Sequence, residues 1–359
     1  MSSVHVSMQS QAVEQKTASA AGVYTYVAQW PIYAVAWSHH RAYSKPRLAI
    51  GSFLEDYANK VELVQFDPDT SNFSTDGRLV FDHPYAPTNV MFLPSEADAA
   101  SSTVELLATS GDYLRLWAVH HDRVEMRALL NSNRGSEFSS AITSFDWAAF
   151  NPRHIAGCSV DTTCTVWDVE KEVVEAQLVA HDKEVYDVSW GGTGVFASVS
   201  GDGSVRVFDL RDKERSTIIY ENVTAPNRDQ SPLLRLEWNK ADPRFMATVG
   251  MDSSAVVILD IRFPTAPLAE LNRHRGSVNA VSWAPQVGRQ LCSVGDDSRA
   301  LIWDVLSAVG LSSDGNVAVD VEPEMWYGST LEINNVRWSP VEMDWIALTF
   351  SNKLQLLRV

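Results

Sequence analysis

Two sets of side chains in this 359-residue chain have the make-up of a hydrolytic triad: His274, Ser293 and Asp297, and His181, Ser198 and Asp202. A serine beside a histidine that is oriented by a carboxylate can serve as a nucleophile. Each set is followed by an aromatic residue, Trp303 in the first and Phe208 in the second. An aromatic has no part in acyl transfer, but it fits another chemistry. Trp carries only an N–H donor and ionised Asp only acceptors, while Ser and His do both. Trp, Ser, His and Asp can therefore satisfy one another in a closed hydrogen-bonded chain. Phe208 offers no donor, so its chain is one link short. A third set keeps Asp161 and Trp167 but has Gly157 where the serine would stand. Recurrence of the pattern together with an indole favours a structural chain over a triad. The sequence has no GxSxG elbow, no HExxH and no phosphate-binding GxxxxGK[ST]. His39-His40 and His120-His121 are adjacent, and neighbours on a strand point to opposite faces, so neither pair chelates easily. These residues predict no enzyme, no cofactor and no metal.

The elements that hold these side chains are short β-prone runs. From His274 to Asp304, the runs Val278–Trp283, Leu291–Val294 and Ala300–Trp303 are joined by turns at Pro285 and Gly295-Asp296-Asp297. This reads as an antiparallel meander. One meander cannot bury its own faces, and copies are present. An "apolar-x-Trp" signature falls at Trp37, Trp147, Trp190, Trp238, Trp283 and Trp338, with Phe92 in the equivalent place, at intervals of 43 to 55 residues. A small-residue run follows each copy, and most close with an aromatic or aliphatic residue and Asp. The arrangement resembles the WD-repeat pattern. It predicts an all-β fold, a seven-bladed propeller over residues 23–359 behind a disordered tail over residues 1–22.

Bulk properties narrow the partners. Lys and Arg total 29 and Asp and Glu 45, a formal net charge of −16. Such a chain repels phosphate backbones, so direct nucleic-acid binding is disfavoured. No run of about 18 apolar residues suggests a membrane span. Three sparse cysteines fit a reducing compartment, and the polar first 20 residues lack the apolar stretch of a signal peptide. The expected location is nucleus and cytoplasm.

The two ends of the chain should meet. Val23–Gln29 alternates like a strand but precedes the first full copy, whereas the chain stops at Val359 with its last copy one strand short. Pairing these ends supplies the missing strand and removes two open edges. Loops are expected at His39–Pro46, Pro94–Thr103, Leu130–Ala141, Glu221–Pro232 and Leu311–Asn316, the last followed by an outer strand in VAVDVE. Loops entering the inner strands, and those between second and third strands, share one face, called the top here. It is expected to present Trp30, Tyr33, Tyr85, Tyr186, Arg235, Arg275, Trp326 and Tyr327, residue types that anchor protein interfaces. On the opposite face Phe208-Asp209-Leu210-Arg211 and Leu259-Asp260-Ile261-Arg262 close the third strands of consecutive copies. Both resemble the Trp-Asp-x-Arg box by which some propellers dock to the adaptor of a cullin–RING ubiquitin ligase, although neither has the Trp.

Several stretches carry a narrower likeness. GSFLEDYANKVELV, FDHPYAPTNVMFLP, LLATSGDYLRLW, SVDTTCTVWD, QLVAHDKEVYDV, FDLRDKERSTIIYE, VVILDIR and NKLQLLRV together resemble the Transparent Testa Glabra and Light-Regulated WD proteins of plants. The animal relatives of that family are kinase-binding scaffolds of the cullin-associated factor class. The likeness runs from about Val23 to Val359 and departs at SEFSSAITSFDW, from Ser136. It implies a non-catalytic scaffold that assembles MYB-type and helix-loop-helix transcription factors or circadian-clock regulators. It also implies alternatives, a kinase scaffold or a substrate receptor of a ubiquitin ligase.

Overall fold

The computed structural model describes all residues except 1–15, 18–21, 40–44, 56, 95–103, 132–139, 223–229 and 306–320. Seven sheets follow one another along the chain, each built on four antiparallel strands. In order from the inner strand outward, blade one is Ile32–Trp37, Arg47–Ser52, Asn59–Asp67 and Asn72–His83. Blade two is Asn89–Phe92, Glu105–Ser110, Leu114–Val119 and Val124–Leu130. Blade three is Ile142–Trp147, His154–Ser159, Thr163–Asp168 and Val173–Val179. Blade four is Val185–Gly192, Val195–Ser200, Ser204–Asp209 and Asp212–Glu221. Blade five is Leu233–Trp238, Phe245–Gly250, Val256–Asp260 and Ala269–Leu271. Blade six is Val278–Trp283, Gln290–Gly295, Arg299–Asp304 and Met325–Gly328. Blade seven is Asn335–Trp338, Trp345–Phe350, Lys353–Arg358 and, from the other end of the chain, Val23–Val27.

The ring closes as expected. Val23–Val27 runs antiparallel to the last strand, with Val23 opposite Leu357 and Val27 opposite Lys353. Asn352 reinforces the seam from both sides, since its carbonyl accepts from Ala28 N–H at 2.8 Å and its amide donates to the Ala28 carbonyl at 3.0 Å. Tyr24 projects from this strand onto Phe66 of blade one and Trp345 of blade seven, at ring-centroid distances of 4.8 and 5.6 Å. One strand therefore fills blade seven and also packs the junction with blade one.

One expectation about strands needs correction. The outer strand of blade six is Met325–Gly328, not VAVDVE, of which residues 317–320 lie outside the described residues. MWYG takes that place because Trp326 and Tyr327 pack on opposite faces of the blade, toward blades five and seven respectively. Ahead of the closing strand, Lys16–Thr17 pairs in parallel with Met325–Trp326 as a fifth strand of blade six. Within the expected loops His39–Pro46, Pro94–Thr103, Leu130–Ala141, Glu221–Pro232 and Leu311–Asn316, residues 40–44, 95–103, 132–139, 223–229 and 311–316 lie outside the described residues.

The inner strands are joined by a repeated hydrogen bond. The residue just before the signature Trp of one blade accepts from the backbone N–H of the signature Trp in the next. Asp146 Oδ2 accepts from Trp190 N at 2.7 Å, and Ser189 Oγ accepts from Trp238 N at 3.0 Å. Glu237 Oε2 accepts from Trp283 N at 3.2 Å, and Ser282 Oγ accepts from Trp338 N at 3.0 Å. The circuit passes the seam when the Trp37 indole donates to the Arg337 carbonyl at 2.9 Å. Blades one and two have Ala36 and Met91 in the accepting position; Asn89 instead donates to the Phe145 carbonyl at 2.9 Å. Backbone groups that face between blades, with no ladder partner of their own, are thereby satisfied. Gly191 lets blade four approach this closely, since a Cβ there would lie 2.2 Å from the Trp238 ring.

Glu237 is the costly member. Burial pushes its carboxyl up to about 8, against the pull of Arg337 and Lys240. A carboxyl raised in the folded state stays protonated while its unfolded counterpart ionises, so stability is lost as pH rises from about 4.5 toward 8. Glu237→Gln keeps the acceptor for Trp283 and removes this penalty. It should leave stability nearly unchanged near pH 4.5 and raise it progressively toward pH 8, measured by urea unfolding across that range. A variant whose advantage does not grow with pH would contradict the assignment.

Candidate functional site

The triad-like sets are interior struts. In blade six Trp303 Nε1 donates to Ser293 Oγ at 2.9 Å, Ser293 Oγ lies 2.8 Å from His274 Nε2, and His274 Nδ1 lies 3.0 Å from Asp297. The ionised Asp accepts, so Nδ1 carries the proton and Nε2 receives the Ser hydroxyl. Ser293 has no exposure, and His274 and Trp303 are buried. No substrate carbonyl can reach the serine. Blade four repeats the chain with His181 Nε2 to Ser198 Oγ at 2.8 Å and His181 Nδ1 to Asp202 at 3.0 Å. Phe208 ends it, stacked on Phe196 at 5.1 Å. Ser204 and Arg206 complete the shell of Asp202 at 2.7 and 3.1 Å. Burial would raise the Asp202 carboxyl, but the hydrogen bond and charge of His181 together with the hydrogen bonds from Ser204 outweigh it and hold the group well below the usual carboxylate range.

Blade three does not form the chain. Asp161 accepts from the Thr163 hydroxyl at 2.6 Å, and the buried Trp167 indole N–H has no partner. The physical reason is Gly157: a Cβ there would lie 2.8 Å from the Trp167 ring, so the indole fills the space that a serine would need. Blade two holds a chain not anticipated from sequence. Trp117 Nε1 donates to Thr109 Oγ1 at 2.9 Å, Thr109 Oγ1 lies 3.1 Å from His83 Nε2, and His83 Nδ1 donates to the Tyr85 carbonyl at 2.5 Å. Its Asp112 pairs with Arg115 instead, at 2.6 Å. The signal was legible only by allowing a shorter turn, since Trp117 follows Thr109 by 8 positions and Trp303 follows Ser293 by 10.

The axial cavity, about 170 Å3, is lined by charge rather than by a catalytic set. Lys240 reaches Asp146 at 2.6 Å, and Asp187 accepts from Leu236 N at 3.0 Å. Arg235, expected on the top face, lies in this cavity instead: its Nε donates to the Asn279 carbonyl at 3.0 Å and cross-links blades five and six. Its place on the inner strand, one residue past Leu234, aims it inward beside a register shift of that strand. Among the described residues no group of three or more His, Cys, Asp or Glu could hold a metal ion.

The interaction surfaces lie outside the cavity. On the top face Tyr57 and Tyr85 meet edge to face at 5.3 Å, and Phe53 packs on Tyr33 at 5.5 Å. Phe53, Tyr57 and Tyr85 are 53%, 78% and 45% exposed, an aromatic patch spanning blades one and two. Tyr85 was expected there; Phe53 and Tyr57 were not singled out, although both stand in the linking segment FLEDYANK. Trp30, Tyr33 and Tyr186 are half-buried, and Arg275 is exposed. Trp326 and Tyr327 are not top loops: Tyr327 donates to Gln355 at 2.8 Å, and Arg299 lies 5.3 Å over the Trp326 ring. On the bottom face Arg211 and Arg262 follow the third strands of blades four and five, each clamped by the Asp two residues earlier through Nε and Nη2 at 2.9 and 2.5 Å. Arg262 also sits 5.5 Å over Phe263, which is 65% exposed.

The struts make separable predictions. Trp303→Phe strands the Ser293–His274 pair without its donor and should cost about 1–2 kcal/mol, whereas Trp167→Phe removes an N–H that already lacks a partner and should be neutral or stabilising. Equal losses in denaturant unfolding would refute the reading of both sites. Burial pulls His83 down to about 4, so its unfolded form takes up a proton first as pH falls. Stability should then decline from about pH 6.5 toward 4, and His83→Asn should flatten that slope; an unaltered slope would count against it.

Known proteins place this architecture. The family model described as "WD domain, G-beta repeat" matches residues 173–209 and 265–304. The chain is 46% identical to the DDB1- and CUL4-associated factor 7 homolog of Dictyostelium discoideum, over 94% of this chain and 98% of that protein. It is 32% identical to a WD repeat-containing protein of Schizosaccharomyces pombe over 93% and 89% of the two chains, and 31% identical to one of Saccharomyces cerevisiae over 95% and 77%. With Ser198 and Ser293 sealed inside the blades and Phe53, Tyr57, Tyr85, Arg211 and Arg262 at the surface, the molecule is a non-catalytic scaffold for protein interactions, and the chain belongs to the WD-repeat family of the DDB1- and CUL4-associated factor 7 homolog.

Proposed function

We propose that the chain assembles transcriptional regulators, of MYB and helix-loop-helix or circadian-clock type, on its top face. The observation that carries this reading is the patch of Phe53, Tyr57 and Tyr85, which exposes large aromatic surface on the loops of the top face. Aromatic anchors of this kind supply most of the energy of protein interfaces. A net charge of −16 favours basic clients, such as the DNA-binding segments of these factors, and speeds their encounter. The likeness to Transparent Testa Glabra and Light-Regulated WD proteins supports the same client class and a location in nucleus and cytoplasm.

A second reading rests on the bottom face. Arg211 and Arg262 stand at matching positions of consecutive blades, pre-oriented by Asp209 and Asp260. The side-chain hydrogen bond from Arg211 is the main reason that the Asp209 carboxyl sits at about 2. A cation fixed in this way loses little freedom on docking. The printed name of the Dictyostelium relative, a factor associated with DDB1 and CUL4, supports docking of a ligase adaptor here. Client and adaptor would then sit on opposite faces, each raising the local concentration of the other. A kinase held in the adaptor's place is the remaining variant of this arrangement.

Phe53→Ala with Tyr57→Ala should weaken capture of a purified helix-loop-helix or MYB DNA-binding segment at least tenfold without lowering the Tm. Arg211→Ala with Arg262→Ala should leave that capture intact and abolish copurification of the DDB1 adaptor. Undiminished client capture by the first pair overturns the top-face assignment, and persistent adaptor copurification by the second overturns the bottom-face one.

A further inference from the structure

The outer edge of blade six differs from the other six outer edges, because the chain's own Lys16–Thr17 lies along it as a parallel strand against Met325 and Trp326. Beside this edge a cleft of about 500 Å3 opens between blades five and six, lined by Arg273, Arg275, Arg299, Leu301, Glu322 and Trp326 among others. Three arginines in one cleft stand out on a molecule with a net charge of −16. Arg273 is engaged with Glu322 at 2.7 Å. Asp297, the nearest acid in the loop, is committed to His274 and to the backbone N–H of Arg275. The side chains of Arg275 and Arg299 have no ion pair among the described residues, and the Arg299 guanidinium lies 5.3 Å from the centre of the Trp326 ring.

We propose that this edge is a strand-addition site for an extended, anionic segment of a partner protein. The partner's backbone would pair with Met325–Gly328, and its acidic side chains would enter the cleft at Arg275 and Arg299. The chain's own strand shows that the edge accepts a parallel partner. Two residues of ladder contribute little, however. A longer anionic strand gains more backbone bonds and charge complementarity, and so displaces it. The Lys16–Thr17 segment acts as a placeholder that covers a sticky edge until that partner arrives. This site is lateral and, apart from Arg275 at the rim of the top face, shares no residue with the two faces discussed above.

The probes are fluorescein-labelled ten-residue peptides alternating Val with Glu, with phosphoserine or with Lys, titrated by anisotropy against the full chain. The Glu or phosphoserine peptide should saturate and the Lys peptide should not. Replacing the placeholder strand in place, Lys16→Pro with Thr17→Pro, removes its N–H donors and should tighten anionic binding at least fivefold. Arg275→Glu, at an exposed loop position, should weaken it at least tenfold with an unchanged Tm; Arg299→Ala should act likewise while also losing the Trp326 contact. Phosphoserine binding tenfold tighter than Glu identifies a phosphorylated segment as the occupant, and equal binding identifies a carboxylate-rich one. No saturable anionic binding to the proline variant, equal binding of the Lys peptide, or indifference to Arg275→Glu would each overturn the proposal.

Discussion

The structure depends on what happens to the backbone N–H of each signature tryptophan. In a single sheet that group would pair within its ladder, but on a propeller's inner strand it faces the neighbouring blade. Buried there without a partner it would cost about 1–3 kcal/mol. Asp146, Ser189, Glu237 and Ser282 each meet it from the preceding blade. The same tryptophans then use their indoles in one of two ways. Trp147, Trp238 and Trp338 donate within their own hairpin, to the carbonyls of Pro152, Pro243 and Met343. Trp37, Trp190 and Trp283 donate to the preceding blade, at Arg337, Asp146 and Glu237. Half of the signature residues thus finish a hairpin and half fasten blades together.

Where this circuit is polar, the blade junction tolerates charge; where it is not, apolar packing replaces it. Blades one and two have no accepting residue before their signature aromatic, and their junction is instead built from Ala34, Ala36, Leu63, Val90, Phe92 and Trp117. The ionisable groups of the axis, Asp146, Asp187, Arg235, Glu237, Lys240 and Arg337, belong to the cross-linking system rather than to a binding pocket. With its polar interior spent on holding the ring, the molecule has only its surfaces left for recognition. Function follows from rigidity: a platform that keeps two faces and a lateral edge at fixed separation can bring proteins together without chemistry of its own.

Much of this was legible in the chain. The repeated Trp, the alternation of Val23–Gln29 and the unfinished last copy were enough to place seven blades and the seam, because period-two alternation and a missing strand are statements about burial and edges. The role of the residue before each Trp was not legible, since Asp, Ser and Glu there look like ordinary polar surface until the next blade is docked. Blade two's His83–Thr109–Trp117 chain was hidden by a turn two residues shorter than in blade six. Gly157 was visible, but its consequence, an indole N–H with no partner, required the packing of Trp167. Arg235 was read as a surface anchor because an Arg near a loop usually is; its inward aim comes from the register shift of its strand. Trp326 was misplaced because VAVDVE has the stronger strand composition, and the two-sided packing of MWYG is a tertiary effect.

Native-state hydrogen exchange tests the central claim, a closed ring whose seam and blade junctions open together. The amides of Trp190, Trp238, Trp283 and Trp338, and those of Val23–Val27 that pair with the last strand, should exchange only through global unfolding, all with the same opening free energy and the same dependence on denaturant. If the Val23–Val27 amides exchanged through a separate low-energy opening while the tryptophan amides stayed protected, the seam would not hold the ring, and the account would be wrong.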